Sequence, residues 1–272
     1  MPATLPELRT VTLRRGASNG AELRIVLDRP DVMNAWDKQL GVDLLTAVEL
    51  AASDDAVRTV TITGAGRAFS SGADLRAGFD PRPSDGRPDL GAVLRDRYHP
   101  IILGIRRMPK PVVAAVNGPA VGIGCSLALA CDLVLARESA YLLLAFVNIG
   151  LVPDGGSSIF VPARAGAGRA AAMALLGERI PAPQASAWGL VDVLASDETF
   201  DAEVDGLAER LATGPTRAYA AAKAELNARV YAGIEEQLEL EASLQDELAG
   251  SADFAEGVAA FVEKRAPGFQ GE

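Results

Sequence analysis

The sequence predicts an α/β protein: short strands that turn through glycines into helices, stacked as a spiral, followed by an all-helical C-terminal stretch. Two observations carry this. The order strand, glycine-rich turn, helix recurs with strands near positions 25, 60, 113 and 134. From Asp201 onward the β-type runs stop and only helical patterns remain. One way to stack such units is a spiral of short sheets with helices outside.

The segment Lys110–Ala136 shows the unit most clearly. Lys110-Pro111 opens it, Val112–Val116 is an apolar β-type run, and Asn117-Gly118-Pro119 breaks it. The chain then passes Gly122-Ile123-Gly124 and enters a small-residue helix from Cys125 to Cys131. A strand that turns through glycine into a helix leaves unsatisfied backbone N–H groups at the helix start. Such donors suit an anion, or an oxygen that becomes anionic during a reaction.

The remaining elements follow in order. Residues 9–13 and 22–27 alternate as two strands around a Gly16–Gly20 turn. A helix over Asp37–Ser53 places Leu40, Leu44, Leu45 and Val48 on one face. The strand Thr59–Thr63 runs into Gly64 and Gly66, then Gly72-Ala73-Asp74-Leu75, with a helix expected after Asp74. Residues 78–90 are rich in Pro, Gly and Asp and read as a mobile loop, a lid over a site. A helix over Leu90–Met108 carries Tyr98 and the chain's one histidine, His99, and is stopped by Pro109. Tyr141–Leu144 reads as a strand, 157–165 and 168–176 as helices, Pro181–Leu190 as a turn and short helix, and Val191–Leu194 as a strand. Helices over 201–212, 215–230, 233–249 and 252–264 complete the chain. Pro215 suits a first helical turn, and Ser251 can cap the last helix, which presents Phe254, Val258 and Phe261.

Composition narrows the function. Hydrophobic residues are 49% and charged residues 23%, a soluble globular balance. A net charge of −10 argues against nucleic-acid binding through a broad basic surface. The two cysteines, Cys125 and Cys131, face different sides of one helix, so no disulfide is expected. With no disulfide framework and no basic-then-apolar leader pattern, the chain reads as cytoplasmic. Asn117, Pro119 and Asp132 interrupt the long apolar stretch, so no membrane span is expected.

Four segments in order, LDRPDVMNAWD, AFSSGADL, KPVVAAVNGPAVGIGCSLALACDLVLA and GLVPDGGSS, with the tail ADFAEGVAAFVEKRAPGFQG, resemble the enoyl-CoA hydratase/isomerase (crotonase) superfamily. The pattern is most similar to the branch of ring-epoxide phenylacetyl-CoA isomerases. The resemblance implies a ββα-spiral core over 1–200 that holds an acyl-CoA site. It implies a helical region over 201–272 for oligomerisation and CoA contacts, in trimers or dimers of trimers. The substrate is then an acyl-CoA thioester, with coenzyme A part of the substrate and no separate cofactor or metal.

The resemblance assigns the backbone N–H groups of Ala73 and Ile123 to an oxyanion hole, with Gly122 beside them and Ile123 standing where the family usually has glycine. The two glutamates of the family's hydratases fall on Ser126 and Phe146, neither of which can relay a proton as a carboxylate does. What remains is Asp154, which matches the proton shuttle of the isomerases; its alternative role is a helix N-cap. Arg29, Met33 and Ala35, with Ser71, Gly72, Asp74 and Leu75, are assigned to the adenine and pantetheine groove. Tyr98 lines the acyl pocket, and Phe261 and Lys264 reach the nucleotide. The spacing of His99, Ile123 and Asp154 also resembles the aryl-CoA dehalogenases, in which an aspartate attacks the ring and a histidine activates water. A third reading is a catalytically weak CoA-binding homologue.

Overall fold

The computed structural model describes residues 5–16, 20–79, 81, 82 and 84–272. The tip of the Gly16–Gly20 turn, and Asp80 and Pro83 of the expected lid, lie outside the described residues.

Strands β1 (Val11–Arg15) and β2 (Glu22–Leu27) form an antiparallel pair, and helix α1 (Lys38–Ser53) follows, capped by Asp37, whose carboxylate accepts from the Leu40 N–H at 2.8 Å. Strand β3 (Thr59–Gly64) pairs parallel to β2. No helix starts after Asp74. Its carboxylate accepts from the Ala77 N–H at 3.2 Å, which closes a single turn, and Gly78 at φ 75° ends it.

The helix expected over Leu90–Met108 is three pieces: α2 (Leu90–Val93), a π turn (Leu94–Tyr98) and α3 (His99–Arg107). π turns inside helices are frequent at functional sites. Next come β4 (Val112–Val116), the two-residue β5 (Ala120–Val121), α4 (Ile123–Ala130), β6 (Leu133–Arg137) and β7 (Tyr141–Leu143). A 3-10 turn at Phe146–Ile149 leads to α5 (Ser157–Ala165) and α6 (Ala167–Leu176). The remainder is β8 (Ile180–Pro181), α7 (Ala182–Ala187), β9 (Val193–Ala195), α8 (Phe200–Thr213), α9 (Thr216–Val230), α10 (Ile234–Leu248) and α11 (Ala252–Glu263). Pro215 sits at the N-cap of α9 rather than in its first turn.

The main sheet has the order β1-β2-β3-β4-β6-β9 and is parallel from β2 onward. Its centre, β4, is buried throughout, as a parallel strand covered on both faces must be. Val112, Ala114 and Val116 enter the large core with α1, α3 and α4, while Ala115 faces Phe200 and Val204 of α8. A second layer runs beside it: Trp36 bridges Ala73, Ser70 bridges Ala120, Ala120 pairs with Leu142, and Leu142 with Ile180. Each turn of the chain thus adds one strand to each layer and one helix outside. That is the spiral the repeat predicts. No helix among the described residues is long and apolar enough to cross a membrane.

Candidate active site

Two glycines build the centre. Gly72 has φ 91° and Gly122 φ 54°, a region that side-chain-bearing residues rarely adopt. A Cβ on either would lie 3.8 Å from the other's Cα, so the two turns touch backbone to backbone. Trp36 takes the partners on both sides of Ala73: its N–H donates to Gly72 O at 2.8 Å, and it accepts from the Asp74 N–H at 3.0 Å. The Ala73 N–H therefore points to the opposite edge. Ile123 is the first residue of α4, where an N–H has no intrahelical acceptor. Among the described residues neither N–H finds an acceptor, and both residues line one cavity of about 420 Å³.

The rest of that cavity is mostly apolar. Leu90, Val93, Leu94 and Tyr98 wall it from α2 and the π turn, Phe146 and Leu151 from the loop before α5, and Phe261 from α11. Tyr98 stacks edge-on against Trp36 at 5.1 Å. Its phenol is pushed up, first by burial and then by the negative charge of Asp154. Met33, Ser71, Gly72, Leu75 and Gly122 also line the cavity.

Asp154 is 5% exposed and also lines the cavity. It caps no helix with its side chain, since α5 begins after Gly156 without a side-chain cap. Its Oδ2 accepts from Gln245 Nε2 at 3.0 Å, and its Oδ1 is buried without a partner. Burial raises its carboxyl well above the usual range, the nearby charge of Glu241 adds to this, and the Gln245 hydrogen bond opposes it. Ser126, at one glutamate position, donates to Asp154 O at 2.7 Å and so fastens α4 to this turn. Phe146, at the other, gives the cavity an aromatic wall.

Several assigned residues lie elsewhere. Arg29, Ala35 and Asp74 do not line the cavity. The Arg29 guanidinium donates to Ala35 O at 2.5 Å and pairs with Asp74 at 3.2 Å and Asp37 at 3.1 Å, bracing the 29–37 loop against the Ala73 turn. Lys264 takes a left-handed C-cap position, exposed and off the cavity wall; Arg265 stands on the wall in its place, paired with Glu256 and Glu263. His99 is also absent from this cavity wall. It lines a separate groove with Leu45, Val48, Leu103 and Leu238, and its charged neighbours are Glu239 and Arg95, not Asp154. The sequence reading missed Glu241 and Gln245. They fall on the buried stripe Leu238, Glu241, Ala242, Gln245 of α10, and polar residues inside an apolar helical stripe are the signal that could have found them. Among the described residues no group of three or more His, Cys, Asp or Glu is set to hold a metal.

Two free N–H groups in an apolar cavity with one carboxylate suit a carbonyl oxygen that gains negative charge, as in acyl-CoA chemistry, and comparison with known proteins agrees. The family profile described as Enoyl-CoA hydratase/isomerase matches residues 18–272. The chain belongs to the enoyl-CoA hydratase/isomerase family and is an enzyme acting on acyl-CoA. It is 44% identical to a probable enoyl-CoA hydratase of Rhodobacter capsulatus, over 96% of this chain and 98% of that one. It is 38% identical to a 1,2-epoxyphenylacetyl-CoA isomerase of Escherichia coli, over 92% of this chain and 95% of that one. The crystal structure of an enoyl-CoA hydratase from Mycobacterium avium subsp. paratuberculosis superposes with a TM-score of 0.87 at 39% identity, covering 97% of this chain and all of that one.

Proposed function

We propose that the protein isomerises its acyl-CoA substrate, moving a double bond or opening a ring, with Asp154 as the sole proton shuttle. One observation carries this reading: Asp154 is the only carboxylate among the described residues lining the cavity. Water addition needs groups that hold and activate water. Ser126 is committed to Asp154 O, and Phe146 offers no proton site.

The chemistry follows from the geometry. The thioester oxygen sits on the Ala73 and Ile123 N–H groups. Asp154 Oδ1, as carboxylate, takes a proton from the carbon next to the carbonyl, and the electron pair moves onto that oxygen as an enolate. Each preorganised donor contributes about 2.7–4 kcal/mol to such a transition state. Asp154 then returns the same proton two carbons further along, and the double bond ends conjugated with the thioester. A carboxyl with raised proton affinity is a stronger base once ionised, which suits this step.

Arg265 on the cavity wall is the cation offered to the CoA end. Exposed Leu226, Val230, Leu240 and Leu244 on α9 and α10 support self-association, in keeping with trimers or dimers of trimers. The buried, unpaired Cys125 and Cys131 suit a reducing cytoplasm. The dehalogenase-like reading needs His99 beside Asp154, and His99 faces another groove. Incubation with 3-enoyl-CoA, followed by the absorbance of the conjugated thioester, tests the proposal. Turnover that disappears in Asp154→Asn supports it; no turnover above background in the parent ends it.

A further inference from the structure

We propose that Gln245 is the positioning residue of this site: it fixes the rotation of the Asp154 carboxylate and assigns proton transfer to Oδ1. The inference rests on the isomerase reading for its kinetic consequence, but its geometry stands independently. A single amide nitrogen of Gln245 donates both to Val152 O at 2.7 Å and to Asp154 Oδ2 at 3.0 Å. A backbone carbonyl only accepts, so the amide cannot be reversed without setting its oxygen against Val152 O. The orientation of the donor is therefore dictated by the main chain. Consistent with this, Gln245 Oε1 and Asp154 Oδ1 are both buried without a hydrogen-bond partner. The Asp154 carboxylate is held by one oxygen and free at the other, on a residue that lines the cavity.

The same helix grips this loop again one turn earlier. Glu241 accepts from the Gly156 N–H at 2.8 Å, the Ser158 N–H at 3.2 Å and the Ser158 hydroxyl at 2.5 Å. Residues 152–158 are thus tied to α10 before and after Asp154, with Asp154 itself between. A carboxylate fastened on both flanks and at one oxygen cannot swing away from a substrate carbon, which preserves a near-attack geometry. Among the described residues, the titratable groups facing Asp154 are Glu241 from α10 and Tyr98 from the π turn. Glu241 disfavours ionisation of Asp154, Tyr98 stays neutral, and the Gln245 donor favours the carboxylate.

The test is Gln245→Met, which keeps length and removes the donor. Two quantities are read: the pH at which the Asp154 carboxyl loses its proton, from its infrared C=O band (assigned by its loss in Asp154→Asn), and the pH profile of kcat and KM with 3-enoyl-CoA. The expected result is ionisation at higher pH by about one pH unit, a rising limb of kcat moved the same way, and kcat lower by about 10²-fold with KM little changed. A purely structural role would leave the infrared titration where it is. If Gln245→Met does not fold, Gln245→Asn, too short to reach both partners, takes its place. An unmoved titration overturns the proposal, as does unchanged kcat in a protein whose parent is active. A moved titration in a parent that does not isomerise 3-enoyl-CoA sustains the positioning role and removes the isomerase reading instead.

Discussion

Asp154 and His99 are buried titratable side chains in two different hollows, and the proposed reaction uses only the first. Asp154 and His99 are 5% and 8% exposed, and each keeps one atom without a partner, Oδ1 and Nε2. Burial pushes both toward their neutral forms: the carboxyl goes well up, and the imidazole goes down to about 4. The groove of His99 is a hollow of about 560 Å³. The difference lies in what else converges there. In the cavity that Asp154 lines stand two unengaged backbone N–H groups, held by glycines at φ values that side-chain-bearing residues rarely adopt. Around His99 stand aliphatic side chains of α1, α3 and α10, with Glu49, Arg95, Arg107 and Glu235. A perturbed buried group becomes a proton carrier only where the fold also supplies a place for the developing charge.

The largest effect expected from this contrast is at Asp154. Asp154→Asn keeps the shape of the cavity and lowers isomerisation by about 10³-fold, while acyl-CoA binding by calorimetry stays near that of the parent. Next comes the oxyanion donor. Ile123 is the first residue of α4, a position proline tolerates, so Ile123→Pro removes the N–H with little harm to the helix. Turnover should fall by about 10²–10³-fold, checked in the same absorbance assay alongside the melting temperature.

Smaller effects separate the two hollows by pH. Glu241 is raised to about 7 by burial, so the folded chain holds that proton more tightly than the unfolded one. Stability from this group is complete below its ordinary 4.5 and lost as pH rises through 7. His99, lowered to about 4, works in the other direction: the unfolded chain takes up a proton below 6.5, and stability falls from there down to 4. Melting curves against pH should therefore flatten on the alkaline side in Glu241→Gln and on the acid side in His99→Gln. The smallest effect is on rate, where His99→Gln is expected to isomerise within about twofold of the parent. A large loss there would return His99 to the catalytic site.

Much of this architecture was legible in the residues. Val112–Val116, an apolar run between prolines, and Thr59–Thr63, a β-branched run ending at glycine, announced themselves as strands. The turn at Gly122 was legible because its glycine stands directly before a helix-forming run. Strands β5 and β8 were not, since two residues cannot display a period of two. The expected helix after Asp74 failed because the Asp74 carboxylate is drawn to Arg29 and the next glycine stops the turn. His99 was misplaced because helical spacing says that neighbours point apart but not which one meets the cavity; the π turn settles that for Tyr98. Gln245 was missed because it lies more than ninety positions from Asp154 in sequence and meets it only once α10 packs on α5.

In the proposed reaction one shielded carboxylate both removes and returns the proton. Its most direct test uses 3-enoyl-CoA deuterated at the carbon next to the carbonyl, with product analysed by mass and by NMR. A single buried shuttle predicts conjugated 2-enoyl-CoA carrying a substantial part of the label two carbons further on, in the same molecule. Label lost entirely to water, or 3-hydroxyacyl-CoA as the main product, would contradict it.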